Sequence, residues 1–146
     1  MDHELITKIN EEVQEDDTLW HLGDFMFGRS DKQPRERLEY YRNSILCKNI
    51  ILILGNHDKE ILEDPWMRSQ FTAVMPYFIG FIEGTSYVLT HKPLEDCKPD
   101  IAKPVDSWIA LHPNTLCLFG HTHNNSHVTK FNMCVENHNY KPVKLG

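Results

Sequence analysis

Apolar side chains recur at helical spacing in several segments of the chain, and these segments predict helices. The pattern is clear in residues 1–13 and 34–46 and shorter in residues 104–112. Residues 59–70 predict a weaker helix because Pro65 interrupts them. The chain therefore contains helices spread along its whole length.

Short apolar runs lie between the predicted helices, and they predict buried strands. The predicted strands are residues 18–22, residues 50–54, two strands within residues 73–91 joined by a turn at Glu83-Gly84, residues 115–119, and two more near 131–136 and 142–145. Strands that alternate with helices favour a layered α/β fold. Since no repeat or linker divides the chain, residues 1–146 are predicted to form a single domain.

Four of these apolar runs end in polar residues. TLWHL runs into Gly23-Asp24, IILIL into Gly55-Asn56-His57-Asp58, YVLT into His91, and TLCLF into Gly120-His121-Thr122-His123. In layered α/β folds, neighbouring strands bring the loops at their ends together, and the glycines permit tight turns. The four endings therefore predict one shared site.

The residue types at these strand ends suit a divalent metal ion. Carboxylate, amide and imidazole groups favour Mn, Fe, Zn, Ni or Co, and the absence of cysteine from the strand ends argues against a closed structural zinc site. Asp24 has two oxygens and could bridge two ions, while His121 and His123 could each serve a different one. A pair of ions activates water and holds the oxygens of a displacement at phosphorus.

Composition narrows the class of protein. A formal net charge of −6 argues against a broad nucleic-acid surface, although nucleic acid or a nucleotide remains open as a substrate. No apolar stretch approaches the ~20 residues that span a bilayer, and the N-terminus does not resemble a signal peptide, so no membrane partner is expected. The four cysteines are widely scattered, which predicts reduced thiols and a cytoplasmic protein.

Four motifs in order carry a resemblance to a known family. HLGD at 21–24, GNHD at 55–58, the lone His91 in THKP and GHTH at 120–123 resemble the calcineurin-like metallophosphoesterases, particularly small bacterial and phage members. The resemblance implies a layered β-sandwich flanked by helices. It also implies an enzyme that hydrolyses a phosphomonoester or phosphodiester through a metal-activated hydroxide, with Mn, Fe, Zn or Ni as cofactor and two ions in the family.

The resemblance also implies a role for each matching residue. Asp24 would bridge two ions, and Asn56, His91 and His121 would complete the shell of the second ion. His123 would bind the first ion. His57 would not bind metal but would face the substrate as general acid or charge stabiliser.

The chain departs from the family pattern at its start. The family opens with a strand ending in D-x-H, whose aspartate and histidine bind the first ion, whereas residues 1–13 correspond to the helix that follows. We therefore expect an N-terminally shortened domain whose sheet lacks that first strand, and one ion bound better than two. The alternative is a catalytically impaired metal-binding or interaction protein on the same scaffold.

Other residues near the motifs have two open interpretations. His21 is expected to be packed or hydrogen-bonded rather than a ligand. Phe25 and Phe27 belong to the core or line the pocket. Arg29 and Lys92 hold a phosphate or lie on the surface.

Overall fold

Helices and strands alternate along residues 3–26, 32–120 and 142–145, the parts of the chain that the computed structural model describes. The helices are α1 His3–Glu12, α2 Pro34–Ser44, α3 Lys59–Glu63, α4 Pro65–Ser69 and α5 Pro99–Leu111, with a short 3-10 helix at Leu94–Asp96. The strands are β1 Thr18–His21, β2 Asn49–Ile53, β3 Ala73–Met75, β4 Phe78–Ile82, β5 Thr85–Thr90 and β6 Leu116–Phe119. None of the helices in these ranges is long and apolar enough to cross a membrane.

The described strands form two three-stranded sheets. In the first sheet the order is β1-β2-β3 and both pairs are parallel, so the three carboxyl ends lie at one edge. In the second sheet the order is β4-β5-β6, with β4 antiparallel to β5 and β5 parallel to β6. Glu83 and Gly84 join β4 to β5 with positive φ angles of 50° and 79°, as a tight two-residue turn requires.

The two faces of the first sheet contact different layers. Leu19, Ile50 and Leu52 pack into an apolar cluster with residues of α1 to α4. Trp20 and Ile53 point to the opposite face and pack against the second sheet. This division follows from the strand geometry, in which successive side chains alternate between the two faces.

The second sheet is covered by a helix on its outer face. Tyr87 and Leu89 of β5 lie in the cluster between the sheets, whereas Ser86 faces outward and accepts a hydrogen bond of 2.8 Å from Nε1 of Trp108 in α5. The order of layers is helices, sheet, sheet, helix. The predicted α/β fold, a β-sandwich flanked by helices, is confirmed.

The prediction of two strands in residues 73–91 was wrong, because the segment contains three. Pro76 has no N–H to donate to a ladder, and it separates β3 from β4. The two strands then join different sheets, since β3 pairs with β2 while β4 pairs with β5. The chain therefore passes from one sheet to the other at Pro76-Tyr77.

Two further predicted elements differ from the structure. The helix predicted at residues 104–112 begins earlier, at Pro99, and Pro104 lies inside it. Proline is favoured in the first turn of a helix, and Pro99 occupies that position. Residues 142–145 do not form the predicted strand; instead Leu145 packs against the cluster between the sheets. The strand predicted near 131–136 lies outside the described residues.

The weak helix predicted at residues 59–70 is two short helices. Asp64 precedes Pro65, which disfavours helical backbone at the residue before it. The Asp64 side chain then caps α4 by accepting a hydrogen bond of 2.9 Å from the Trp66 N–H. The break between α3 and α4 therefore follows from Pro65, the residue that made the predicted helix weak.

Candidate metal centre

The loops that follow β1 and β2 meet through two glycines. A Cβ atom on Gly23 would lie 2.5 Å from Nδ1 of His91 and 2.8 Å from the Cα of Gly55. A Cβ atom on Gly55 would overlap the Asp24 carboxylate. Because a side chain at either position would collide with the opposite loop, these glycines allow the strand ends to approach closely.

Three of the predicted ligands converge at this point. Nε2 of His91 lies 2.8 Å from Oδ1 of Asn56 and 3.3 Å from Oδ2 of Asp24, and His91 is only 6% exposed. Across residues 3–26, 32–120 and 142–145 no three His, Cys, Asp or Glu side chains form a metal-binding group. The third group at this point is the amide oxygen of Asn56, a residue type outside those four.

The hydrogen bond on the other side of the His91 ring fixes its tautomer. Nδ1 lies 2.7 Å from the Leu22 carbonyl oxygen, which can only accept, so Nδ1 carries the hydrogen. Nε2 then faces two oxygens, to which it donates when the ring is protonated, and loss of that proton leaves a lone pair at the same point. Metal-binding histidines are commonly oriented by such a carbonyl contact. Three lone-pair-bearing atoms that converge in this way fit a cation.

The pKa values of Asp24 and His91 are shifted by their contact with each other. Burial tends to raise the pKa of Asp24, but hydrogen bonds from the His91 ring and the His57 N–H outweigh it and lower that pKa. Burial tends to lower the pKa of His91, but its contacts with Asp24 and the Leu22 carbonyl outweigh burial and raise it. In the metal-free protein these shifts favour a protonated His91 ring beside the Asp24 carboxylate, and a divalent ion bound here would replace that proton.

Asp58 lies directly behind the convergent side chains and is 1% exposed. Its carboxylate accepts three backbone hydrogen bonds, from Asp24 at 2.7 Å, Phe25 at 2.9 Å and Gly55 at 2.7 Å. Burial raises the pKa of Asp58, and the three N–H donors oppose this rise. Residue types and spacing along the sequence carry no signal for the bonds of Asp58 to Asp24 and Phe25.

His57 is exposed, unlike the buried Asp58 that follows it. Its side chain is exposed, while its backbone N–H donates to Oδ1 of Asp24 at 2.9 Å. Of the two residues next to His57, Asn56 directs its amide oxygen at Nε2 of His91, whereas the Asp58 carboxylate accepts hydrogen bonds from backbone N–H groups behind the centre. The exposed imidazole is consistent with the predicted role toward a substrate, which stays a prediction.

The remaining predicted ligands, His121 and His123, lie outside the described residues. Gly120 is the last described residue before them, and its N–H donates to the His91 carbonyl at 2.9 Å. The chain therefore reaches the centre one residue before His121. The assignment of all five residues as metal ligands stays a prediction.

The open interpretations near the motifs are partly resolved. Nδ1 of His21 accepts a hydrogen bond of 3.2 Å from the Gly23 N–H, and burial lowers the pKa of this histidine to about 4. Phe25 is fully buried in the core and does not line a pocket. Lys92 is partly buried, and Phe27 and Arg29 lie outside the described residues.

Comparison with known proteins identifies one matching family and one similar structure. The model of the calcineurin-like phosphoesterase superfamily domain matches residues 2–137. The crystal structure of AQ665, a protein of unknown function from Aquifex aeolicus, is 28% identical and superposes with a TM-score of 0.69. The similarity covers 96% of this chain and 78% of that one. No curated protein matches.

Proposed function

Because the chain belongs to the calcineurin-like phosphoesterase superfamily, we propose that it is a metal-dependent hydrolase of a phosphomonoester or phosphodiester. The observation that carries this proposal is the convergence of Asp24, Asn56 and His91 around one point, with Nε2 of His91 directed into it. A carboxylate, an amide oxygen and an imidazole suit a divalent ion of the Mn, Fe, Zn or Ni type.

The ligands are unequally distributed between the two ions that the family uses. We propose that Asp24, Asn56 and His91 hold one ion together with His121, while His123 and the shared Asp24 serve the other. A divalent ion supplies Lewis acidity to a phosphoryl oxygen and lowers the pKa of water. Because one site has four protein ligands and the other has two, we expect one ion to bind tightly. We also propose that residues 1–146 form a single domain.

The protein's own residues would orient this chemistry. The Leu22 carbonyl holds the ring of His91 with Nε2 facing inward. The His57 N–H holds Oδ1 of Asp24, which leaves Oδ2 directed at His91. The exposed His57 imidazole would donate a proton to the leaving oxygen of the substrate.

Hydrolysis of nitrophenyl phosphate and of bis-nitrophenyl phosphate tests this proposal. Chelation should abolish hydrolysis, and addition of Mn²⁺ should restore it. His91→Ala should prevent restoration because it removes the inward-facing nitrogen. His112→Ala is the matched control, since His112 lies at the end of α5 and its ring packs 4.1 Å from that of Trp108.

Two outcomes would contradict the proposal. Hydrolysis that persists after chelation would exclude a metal-dependent site. Tight Mn²⁺ binding without hydrolysis of either substrate would instead support the alternative, a metal-binding protein on the same scaffold.

A further inference from the structure

We infer that Asp58 is a positioning residue that fixes the backbone of Asp24, so that the Asp24 carboxylate faces His91 and Asn56. The inference rests on the proposed function in one respect, that the convergent side chains bind a metal ion. Asp58 itself is not directed at the point of convergence: its oxygens are occupied by backbone N–H groups.

The first argument is the number and origin of these hydrogen bonds. Oδ2 of Asp58 accepts from the N–H groups of Asp24 and Gly55, and Oδ1 accepts from that of Phe25. Asp24 and Phe25 follow β1, whereas Gly55 follows β2. One buried carboxylate therefore ties together the two loops that carry the first two predicted ligands.

The second argument is the backbone conformation that these bonds hold. Gly23 has a φ of +101° and Asp24 a φ of +57°. A residue with a Cβ atom in the left-handed region costs about 1–2 kcal/mol, and such residues persist only where their surroundings fix them. The N–H groups on both sides of the strained Asp24 Cα, its own and that of Phe25, bond to Asp58.

The third argument is that the two aspartates hold each other's loops. Asp58 accepts from the backbone of Asp24, and Asp24 accepts from the backbone of His57, the neighbour of Asp58. This reciprocal arrangement occupies Oδ1 of Asp24 and directs Oδ2 toward Nε2 of His91 at 3.3 Å. Loss of Asp58 would release the backbone of Asp24 and so misdirect its carboxylate.

Asp58→Asn tests the inference with almost no change in shape. The variant has one acceptor oxygen where Asp58 has two. If that oxygen takes the place of Oδ2, the amide NH₂ faces the Phe25 N–H; in the other orientation it faces the N–H groups of Asp24 and Gly55. Either way at least one buried donor meets another donor, which destabilises this conformation of the loop.

Asp64→Asn is the matched control. The same substitution six residues along the chain alters a carboxylate that caps α4 and pairs with Arg35 at 2.7 Å. Asp64→Asn therefore changes local stability around α4, and the contacts that it alters are those with Arg35 and Trp66 rather than with the predicted metal ligands. A purely structural effect would appear in both variants, whereas a positioning effect on the centre would appear in Asp58→Asn alone.

The measurements are Mn²⁺ affinity, by titration followed with electron paramagnetic resonance, and the visible spectrum of the Co²⁺-loaded proteins at saturation. Substitution of groups that orient metal ligands typically weakens binding about 10–100-fold, and we expect a loss in this range for Asp58→Asn. Asp64→Asn should bind as the unaltered chain does. At saturating Co²⁺, only Asp58→Asn should show a changed spectrum, because its Asp24 carboxylate is displaced.

Three results separate failure of this inference from failure of the proposed function. Unchanged Mn²⁺ affinity in a folded Asp58→Asn variant, or equal losses in both variants, would overturn the inference and leave the proposed function standing. An unaltered chain that binds no metal would overturn the proposed function instead.

Amide hydrogen exchange in the unaltered, metal-free chain tests the role of Asp58 without a variant. It decides the question if the unaltered chain binds no metal or if Asp58→Asn fails to fold. The amides of Asp24, Phe25 and Gly55 should be protected together, and rapid exchange at Asp24 and Phe25 would overturn the inference.

Discussion

Alanine substitutions at three glycines separate backbone strain from steric crowding at the centre. Gly84 has a φ of +79° and open space around its Cα, so Gly84→Ala introduces strain alone. Gly55 has no such φ, but its Cβ would overlap the Asp24 carboxylate, so Gly55→Ala introduces crowding alone. Gly23→Ala introduces both, since Gly23 combines a φ of +101° with contacts to His91 and Gly55.

The expected losses of folding free energy follow from these differences. A side chain in the left-handed region costs about 1–2 kcal/mol, and part of this is recovered from the lower entropy of the unfolded chain, so Gly84→Ala should cost about 1 kcal/mol. Insertion of a methyl group into a well-packed site costs about 1–3 kcal/mol, the range expected for Gly55→Ala. For Gly23→Ala the two effects together should cost about 2–4 kcal/mol.

Urea denaturation of the metal-free proteins, followed by circular dichroism, measures these losses. Linear extrapolation gives the free energy of unfolding, and an unchanged slope would show that the unfolded states are comparable. Mn²⁺ affinity is measured on the same samples. We expect weaker binding for Gly23→Ala and Gly55→Ala, whose methyl groups would displace His91 or Asp24, and unchanged binding for Gly84→Ala.

Two patterns would refute this reasoning. If Gly84→Ala destabilised the chain as much as Gly23→Ala, strain alone would account for both and the crowding argument would fail. If Gly55→Ala left both stability and Mn²⁺ affinity unchanged, the close approach of the two loops would not be needed to hold the Asp24 carboxylate.

The remaining predictions concern the histidines and the ion. His57→Ala should slow turnover about 10²–10⁴-fold with a poor leaving group and less with nitrophenolate; an equal loss with both would contradict the acid role. The folded-state pKa of His21 is about 4, below its ordinary value of 6.5, so the unfolded state binds more protons between these values and stability should rise with pH across this window. His21→Gln should flatten that rise in urea titrations of metal-free protein, and an unchanged slope would contradict it. Elemental analysis should find close to one tightly bound ion per chain; two would show that other residues complete the first site.

The meeting of Asp24 and Asn56 could be predicted because it depends on the ends of two neighbouring strands. Each apolar run stops at a glycine or a polar residue, and the carboxyl ends of adjacent parallel strands must lie at the same edge of a sheet. Asp24 and Asn56 follow β1 and β2 in this way, so no knowledge of the loops was required. His91 also follows a strand, but β5 belongs to the second sheet, so the shared-edge argument does not place His91 beside Asp24 and Asn56.

The role of Asp58 could not be predicted because it depends on loop conformation. Its bonds to Asp24 and Phe25 span more than thirty residues and require a left-handed residue that is not glycine. No periodicity or spacing encodes such a contact. The strand predicted at residues 142–145 was wrong for a related reason. Polar and apolar side chains alternate there as in a strand, but a strand also needs a pairing partner, which the local pattern does not specify.

The turn at Glu83-Gly84 has a consequence for the order in which the chain folds. It joins β4 to β5 directly, whereas each of the other described strand pairs is parallel and joins segments separated by longer stretches of chain. Hairpins form in about 1–10 μs, and pairings between distant segments form later because they must first close a long loop. We therefore expect this hairpin to be structured in the transition state for folding. Gly84→Ala should then slow refolding, whereas Gly23→Ala should chiefly accelerate unfolding, a difference that stopped-flow kinetics would resolve.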